Sequence, residues 1–207
     1  GMNQTLSLMR HIRAQTTLGD QILIALRHYQ NQAGLSECVL RNTRHLPYMN
    51  IPWFDTLRQY LTNVNGTIEL TNTWKLTAQR TNDTFLMEHF LKLKTFTPKE
   101  LKILNACRMY YQVTRVSDIS TPDGSRLVAK ISNGTLSREK LNLVYQSQLE
   151  WPVQDKPNKA SWKLWQKALR LTICNVSGKL YKPLGSWNKE LEPNWKYYLS
   201  TTDNFLY

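Results

Sequence analysis

Apolar residues recur every three or four positions through much of this chain, and the residues between the runs say where each one stops. Ile22, Leu23, Ala25, Leu26 and Tyr29 keep helical spacing, and Gly34 stands where a left-handed C-terminal residue is wanted, so a helix is predicted from Gly19 to Ala33. Ile51-Pro52 opens a second, because proline suits a first helical turn; Trp53, Phe54, Leu57, Tyr60, Leu61 and Val64 follow until Asn65-Gly66 closes it. Asn82 is placed to cap a third, running to about Leu93 with Phe85, Leu86, Phe90 and Leu93 on its buried side. Thr97-Pro98-Lys99-Glu100 carries the firmest local signal. A hydroxyl cap, a proline at the first position and a carboxylate three residues after the cap together predict a helix from Pro98 to about Val113.

Elsewhere the spacing shortens towards alternation. Thr67 to Leu70 reads either as a short strand or as a Thr-rich loop, Thr121-Pro122-Asp123-Gly124 is a turn, and Arg126 to Ile131 is strand-like. Asn133-Gly134 makes another turn ahead of a short helix from Ser137 to Tyr145. Trp151-Pro152 through Pro157 is rich in breakers and is the candidate boundary between 1–150, a mostly helical connector-like domain, and 151–207, either a separate unit or part of the first. The second part opens on a helix from about Asn158 to Cys174. Short extended pieces follow at Lys179 to Lys182, Trp195 to Leu199 and Asn204 to Tyr207. The fold class expected is α+β, predominantly α-helical, with a few short strands near the middle and the C-terminal end.

Charge changes this picture most in the last quarter. The chain has 207 residues, enough to bury a core without disulfides or metals, and a net charge of +12, of which +2 falls in 1–70, +5 in 71–150 and +5 in 151–207. From Lys156 to Lys189 there are eight basic residues and no Asp or Glu. Lys159, Lys163 and Lys167 recur every four positions and stack as one column, while Trp162, Trp165, Leu169 and Ile173 form a neighbouring apolar stripe. Lys156, Lys159, Lys163, Lys167, Arg170, Lys179 and Lys182 are therefore the candidate nucleic-acid contacts, holding backbone phosphates without reading sequence. The tryptophans have two readings: indoles that cover exposed bases, or core residues that seat the lysines. As structural anchors we take Trp162, Trp165 and Trp187, with Cys107 and Tyr110 in the helix that begins at Pro98.

The usual catalytic footprints are missing. There is no G-x-S-x-G, no phosphate-cradling glycine loop, no dinucleotide fingerprint and no convergent set of carboxylates. His11, His28, His45 and His89 lack metal-ligand spacing, and His89, beside Phe85 and Phe90, reads as a packing residue. No metal or cofactor is expected. Cys38, Cys107 and Cys174 are odd in number and far apart, which points to a reducing compartment, and no apolar run is long enough to span a membrane. The expected setting is intracellular, cytoplasmic or nuclear or both, and Gly1-Met2 looks like a remnant of tag cleavage, as expected of an excised piece or of a trimmed front end.

Several blocks in order resemble a signature of protist and algal retroelement open reading frames. They are Pro52-Trp53-Phe54-x-x-Leu57-Arg58-x-Tyr60-Leu61, Gly66-Thr67-Ile68 and Gln79-Arg80-x-x-Asp83-x-x-Leu86-Met87. The most specific is Leu104-Asn105-x-Cys107-Arg108-x-Tyr110-x-Gln112-Val113-Thr114-x-x-Ser117-Asp118-Ile119 with Asp123-Gly124. Ser161-Trp162-x-x-Trp165 with Leu169, Pro183-Leu184-Gly185-x-Trp187 and Leu206-Tyr207 complete the order. The resemblance, covering about residues 20–207, implies the region between a reverse transcriptase and an RNase H-like domain. It implies a non-catalytic connector that helps hold a template–primer duplex, whether RNA, DNA or a hybrid, beside neighbouring polymerase and RNase H-like domains. The alternative is a protein-interaction or scaffold module whose charge serves solubility alone.

Overall fold

A computed structural model describes residues 1–36, 39–40, 46–68, 80–136, 151 and 154–186. Seven α-helices occur among them: α1 (Met2–Arg13), α2 (Thr17–Ala33), α3 (Pro52–Asn63), α4 (Leu86–Lys92), α5 (Pro98–Tyr111), α6 (Ala129–Ser132) and α7 (Lys159–Thr172), with one 3-10 turn at Ser117–Ile119. α2, α5 and α7 start at side-chain caps. Thr16 accepts from the Gly19 amide at the start of α2, and Gly34 (φ 64°) closes it. At α5 the Thr97 hydroxyl accepts from the Glu100 amide and the Glu100 carboxylate returns to the Thr97 amide, satisfying two orphan donors reciprocally. The Thr97 amide and the Thr97 hydroxyl both donate to Glu100 Oε2, and together they hold the Glu100 carboxyl below its ordinary value.

The expected strands are not present among the described residues. Extended pairing is confined to four isolated bridges, Phe85↔Arg115, Ser120↔Leu127, Arg126↔Lys179 and Cys174↔Leu180. Arg126 to Ile131 is a correction. Arg126 and Leu127 bridge to different partners, and the chain then turns into α6, with Leu127 buried ahead of that helix and Ile131 buried within it. Thr67 to Leu70 is irregular as far as it is described. The helix expected from Asn82 begins later, at Leu86, because the Asn82 side chain donates to the Pro183 carbonyl rather than capping. The expected helix at 137–145 and the extended pieces at 195–199 and 204–207 lie outside the described residues.

α1 and α2 pack together against α3, and α4, α5 and α6 pack around α7. One apolar core runs through both groups and crosses the breaker-rich stretch near residue 151: Leu57, Leu86, Phe90 and Leu104 belong to it together with Trp165 and Leu169. Polar residues join the pieces at chosen points. Arg108 is fully buried and donates to Asn105 Oδ1 and to the carbonyls of Val113, Asn31 and Gln32. Its guanidinium thus ties the carbonyl end of α2, where the helix dipole favours a cation, to the chain just past α5. Arg80 donates to the carbonyls of Pro122 and Gly185, fastening the segment after α7 to the middle of the chain.

Candidate nucleic-acid interface

α7 is seated by its aromatic side. Asn158 caps it by accepting from the Ser161 amide. Trp165 is 0% exposed, lies edge-on to Phe90 at 5.9 Å and donates through Nε1 to the Ile131 carbonyl at 3.3 Å. Trp162, 7% exposed, tilts against Tyr111 at 4.8 Å and meets the edge of Tyr110 at 5.9 Å. Its ring also lies against the backbone of Gly134, where a Cβ would come within 2.2 Å of Cδ2 and where φ is +68°. Only glycine fits that turn. These two indoles are therefore core, and the reading in which Trp162 and Trp165 cover bases is corrected. Trp187 lies outside the described residues.

Cys107 is buried on the facing side of α5, with Sγ 3.8 Å from the Ser161 carbonyl, and burial pushes its thiol up to about 12. It is a packing residue and no nucleophile at neutral pH. Cys107 meets Ser161 at one end of the α5–α7 contact, and Glu100 lies in the field of Lys167 at the other, so the two helices run antiparallel.

With the indoles turned in, the cations face out. Lys156, Lys159, Lys163, Lys167, Arg170, Lys179 and Lys182 are all exposed. At about 100° of turn and 1.5 Å of rise per residue, Lys159, Arg170, Lys163 and Lys167 share an arc of about 80° along roughly 16 Å of axis. Lys156 stands just ahead of the cap of that helix. Lys179 and Lys182 are on the following loop, which doubles back on α7 through the Tyr181 amide to the Ile173 carbonyl and the Cys174↔Leu180 bridge. Leu180 is buried, so Lys179 and Tyr181 on either side of it point outward.

Two members of this surface were missed in the sequence. Arg126 is exposed and bridges Lys179 through the backbone. Tyr181 is 63% exposed, and its hydroxyl donates to the Arg170 carbonyl at 3.0 Å. The alternation Lys179-Leu180-Tyr181 around one apolar residue was the available signal. A hollow of about 200 Å³ opens beside Arg170, lined among others by Asn133, Gln166, Asn175 and Ser177.

Three aspartates in the middle of the chain serve the fold. Asp83 accepts from the Thr84 and Ser117 amides and the Ser117 hydroxyl, while Asp118 accepts from the amides of Thr114 and Arg115. Asp123 closes its turn by accepting from the Thr121 and Ser125 hydroxyls, contacts that hold its carboxyl down at about 2. Among the described residues no group of three or more His, Cys, Asp and Glu could hold a metal ion, and no helix is long and apolar enough to cross a membrane. What the geometry defines is an α-helical module with a cationic ridge braced from behind by tryptophan. Comparison with protein-family models, with curated proteins and with solved structures gave no match to this chain.

Proposed function

We propose that this chain is a non-catalytic nucleic-acid-binding module that grips a polynucleotide by its backbone phosphates along α7. The observation that carries the reading is the division of that helix into two faces. Four cations occupy one exposed arc, and the opposite side is fixed by buried Trp162 and Trp165, so the charges are presented on a rigid rod. Contacts of this kind position a duplex and are blind to its sequence. The ordered blocks that resemble retroelement reading frames favour a connector between a polymerase and an RNase H-like domain, acting on a template–primer duplex inside the cell.

The test of the main reading is the affinity of the full chain for an RNA–DNA hybrid. Replacing Lys159, Lys163 and Lys167 together by Ala should weaken binding at least tenfold at moderate salt while leaving the thermal transition in place. Unchanged affinity in that folded variant contradicts the proposal.

A further inference from the structure

The ridge ends on an aromatic ring. Tyr181 is the most exposed aromatic side chain of the described residues, and it lies against the last turn of α7. Its placement is held at two points: the amide donates to the Ile173 carbonyl at 3.0 Å and the hydroxyl donates to the Arg170 carbonyl at 3.0 Å. The ring is thus pinned at both ends along its long axis, directly beside the backbone of the last cation in the arc, with Lys182 next in sequence. Capping a terminal carbonyl uses the hydroxyl alone and leaves the ring free. Trp162 and Trp165, the aromatics that the sequence would offer to a base, are inside the core.

We infer that Tyr181 is a stacking platform for an unpaired base, and that the ligand of this surface is a duplex with a single-stranded extension rather than a blunt duplex. The inference rests on the phosphate-binding role of α7 and adds to it which polynucleotide is preferred. A phosphate backbone tracked along Lys159, Lys163, Lys167 and Arg170 leads to the ring at the C-terminal end of the helix. Bases inside a duplex are stacked on each other and have no face to offer, whereas the first unpaired base beyond the duplex does. Stacking of a base on an aromatic ring is sequence-tolerant, in keeping with a ridge that reads no sequence. Exposed Arg170, whose carbonyl holds the Tyr181 hydroxyl, and exposed Lys182, next in sequence, supply the charge that such a strand needs as it leaves the duplex.

The experiment compares the full chain on two labelled RNA–DNA hybrids, one blunt and one with a single-stranded overhang of several nucleotides, by fluorescence anisotropy. Wild type should prefer the overhang probe by roughly tenfold. Tyr181→Ala should abolish that preference, whereas Tyr181→Phe, which keeps the ring and loses the carbonyl contact, should retain it. Equal wild-type affinity for the two probes, a preference that survives Tyr181→Ala, or its loss in Tyr181→Phe each overturns the platform while leaving α7 binding intact. Failure of wild type to bind either probe removes the interface itself, and the platform with it.

Discussion

Arg108 shows what a single residue contributes to this fold. It has no carboxylate partner among its hydrogen bonds; four acceptors, three of them backbone carbonyls at or just past helix ends, take its protons, and Trp151 lies 5.5 Å from its guanidinium carbon. Burial lowers its pKa to about 10, which still leaves it charged at neutral pH. Lysine cannot reproduce a planar fork of five donors. Arg108→Lys should therefore cost about 3 kcal/mol, read as a lower urea midpoint, because it strands buried carbonyls; a loss below about 0.5 kcal/mol contradicts this account of the joint. Nothing in the periodicity around Leu104 and Arg108 distinguishes a buried arginine from a solvated one, so this residue was legible only as part of a motif. Arg80 and Asp83 were hidden for the same reason: their partners, at Gly185 and Ser117, are distant in sequence.

The elements were legible where local chemistry marks their ends. α2, α3, α5 and α7 begin or end within a few residues of expectation, because Gly34, Pro52, the Thr97 capping box and Asn158 act through neighbours in the chain. α1 was not foreseen: Leu8 is its buried residue, too little to write a stripe. α4 was placed too early because Asn82 spends its side chain on Pro183, a contact that local sequence does not contain. α4 also carries the element-scale prediction. His89 is partly buried, with Nε2 2.6 Å from the Thr84 hydroxyl, and its pKa is lowered from 6.5 first by desolvation and then by Lys92, with Glu88 opposing. The unfolded chain therefore takes up a proton, as pH falls below about 6.5, that the native state refuses until the lower folded value is reached. Stability should decline across that window, and His89→Gln, which stays neutral, should lose less between pH 7 and pH 5 in urea titrations. An identical decline in both proteins rules out this histidine as the source.

At the scale of the whole molecule, charge and core are arranged as one device. The core continues from α3 through α5 to the tryptophans of α7, so the cationic helix is bolted to the body of the protein rather than carried on a tail. The separation of the Lys159, Lys163 and Lys167 face from the indole face was readable, since a four-residue repeat fixes it. The return of the loop at Lys179 to Lys182 onto the end of α7 was not, because it depends on the backbone pairing of Arg126 with Lys179 and of Cys174 with Leu180. The most direct test of the cationic ridge is the salt dependence of affinity for an RNA–DNA hybrid, in wild type and in the Lys159, Lys163 and Lys167 triple alanine variant. Each phosphate neutralised contributes close to one unit of slope in log affinity against log salt, so wild type should fall steeply and the variant should lose about two to three units of slope. A slope near zero in wild type, or the same slope in both proteins, contradicts the account.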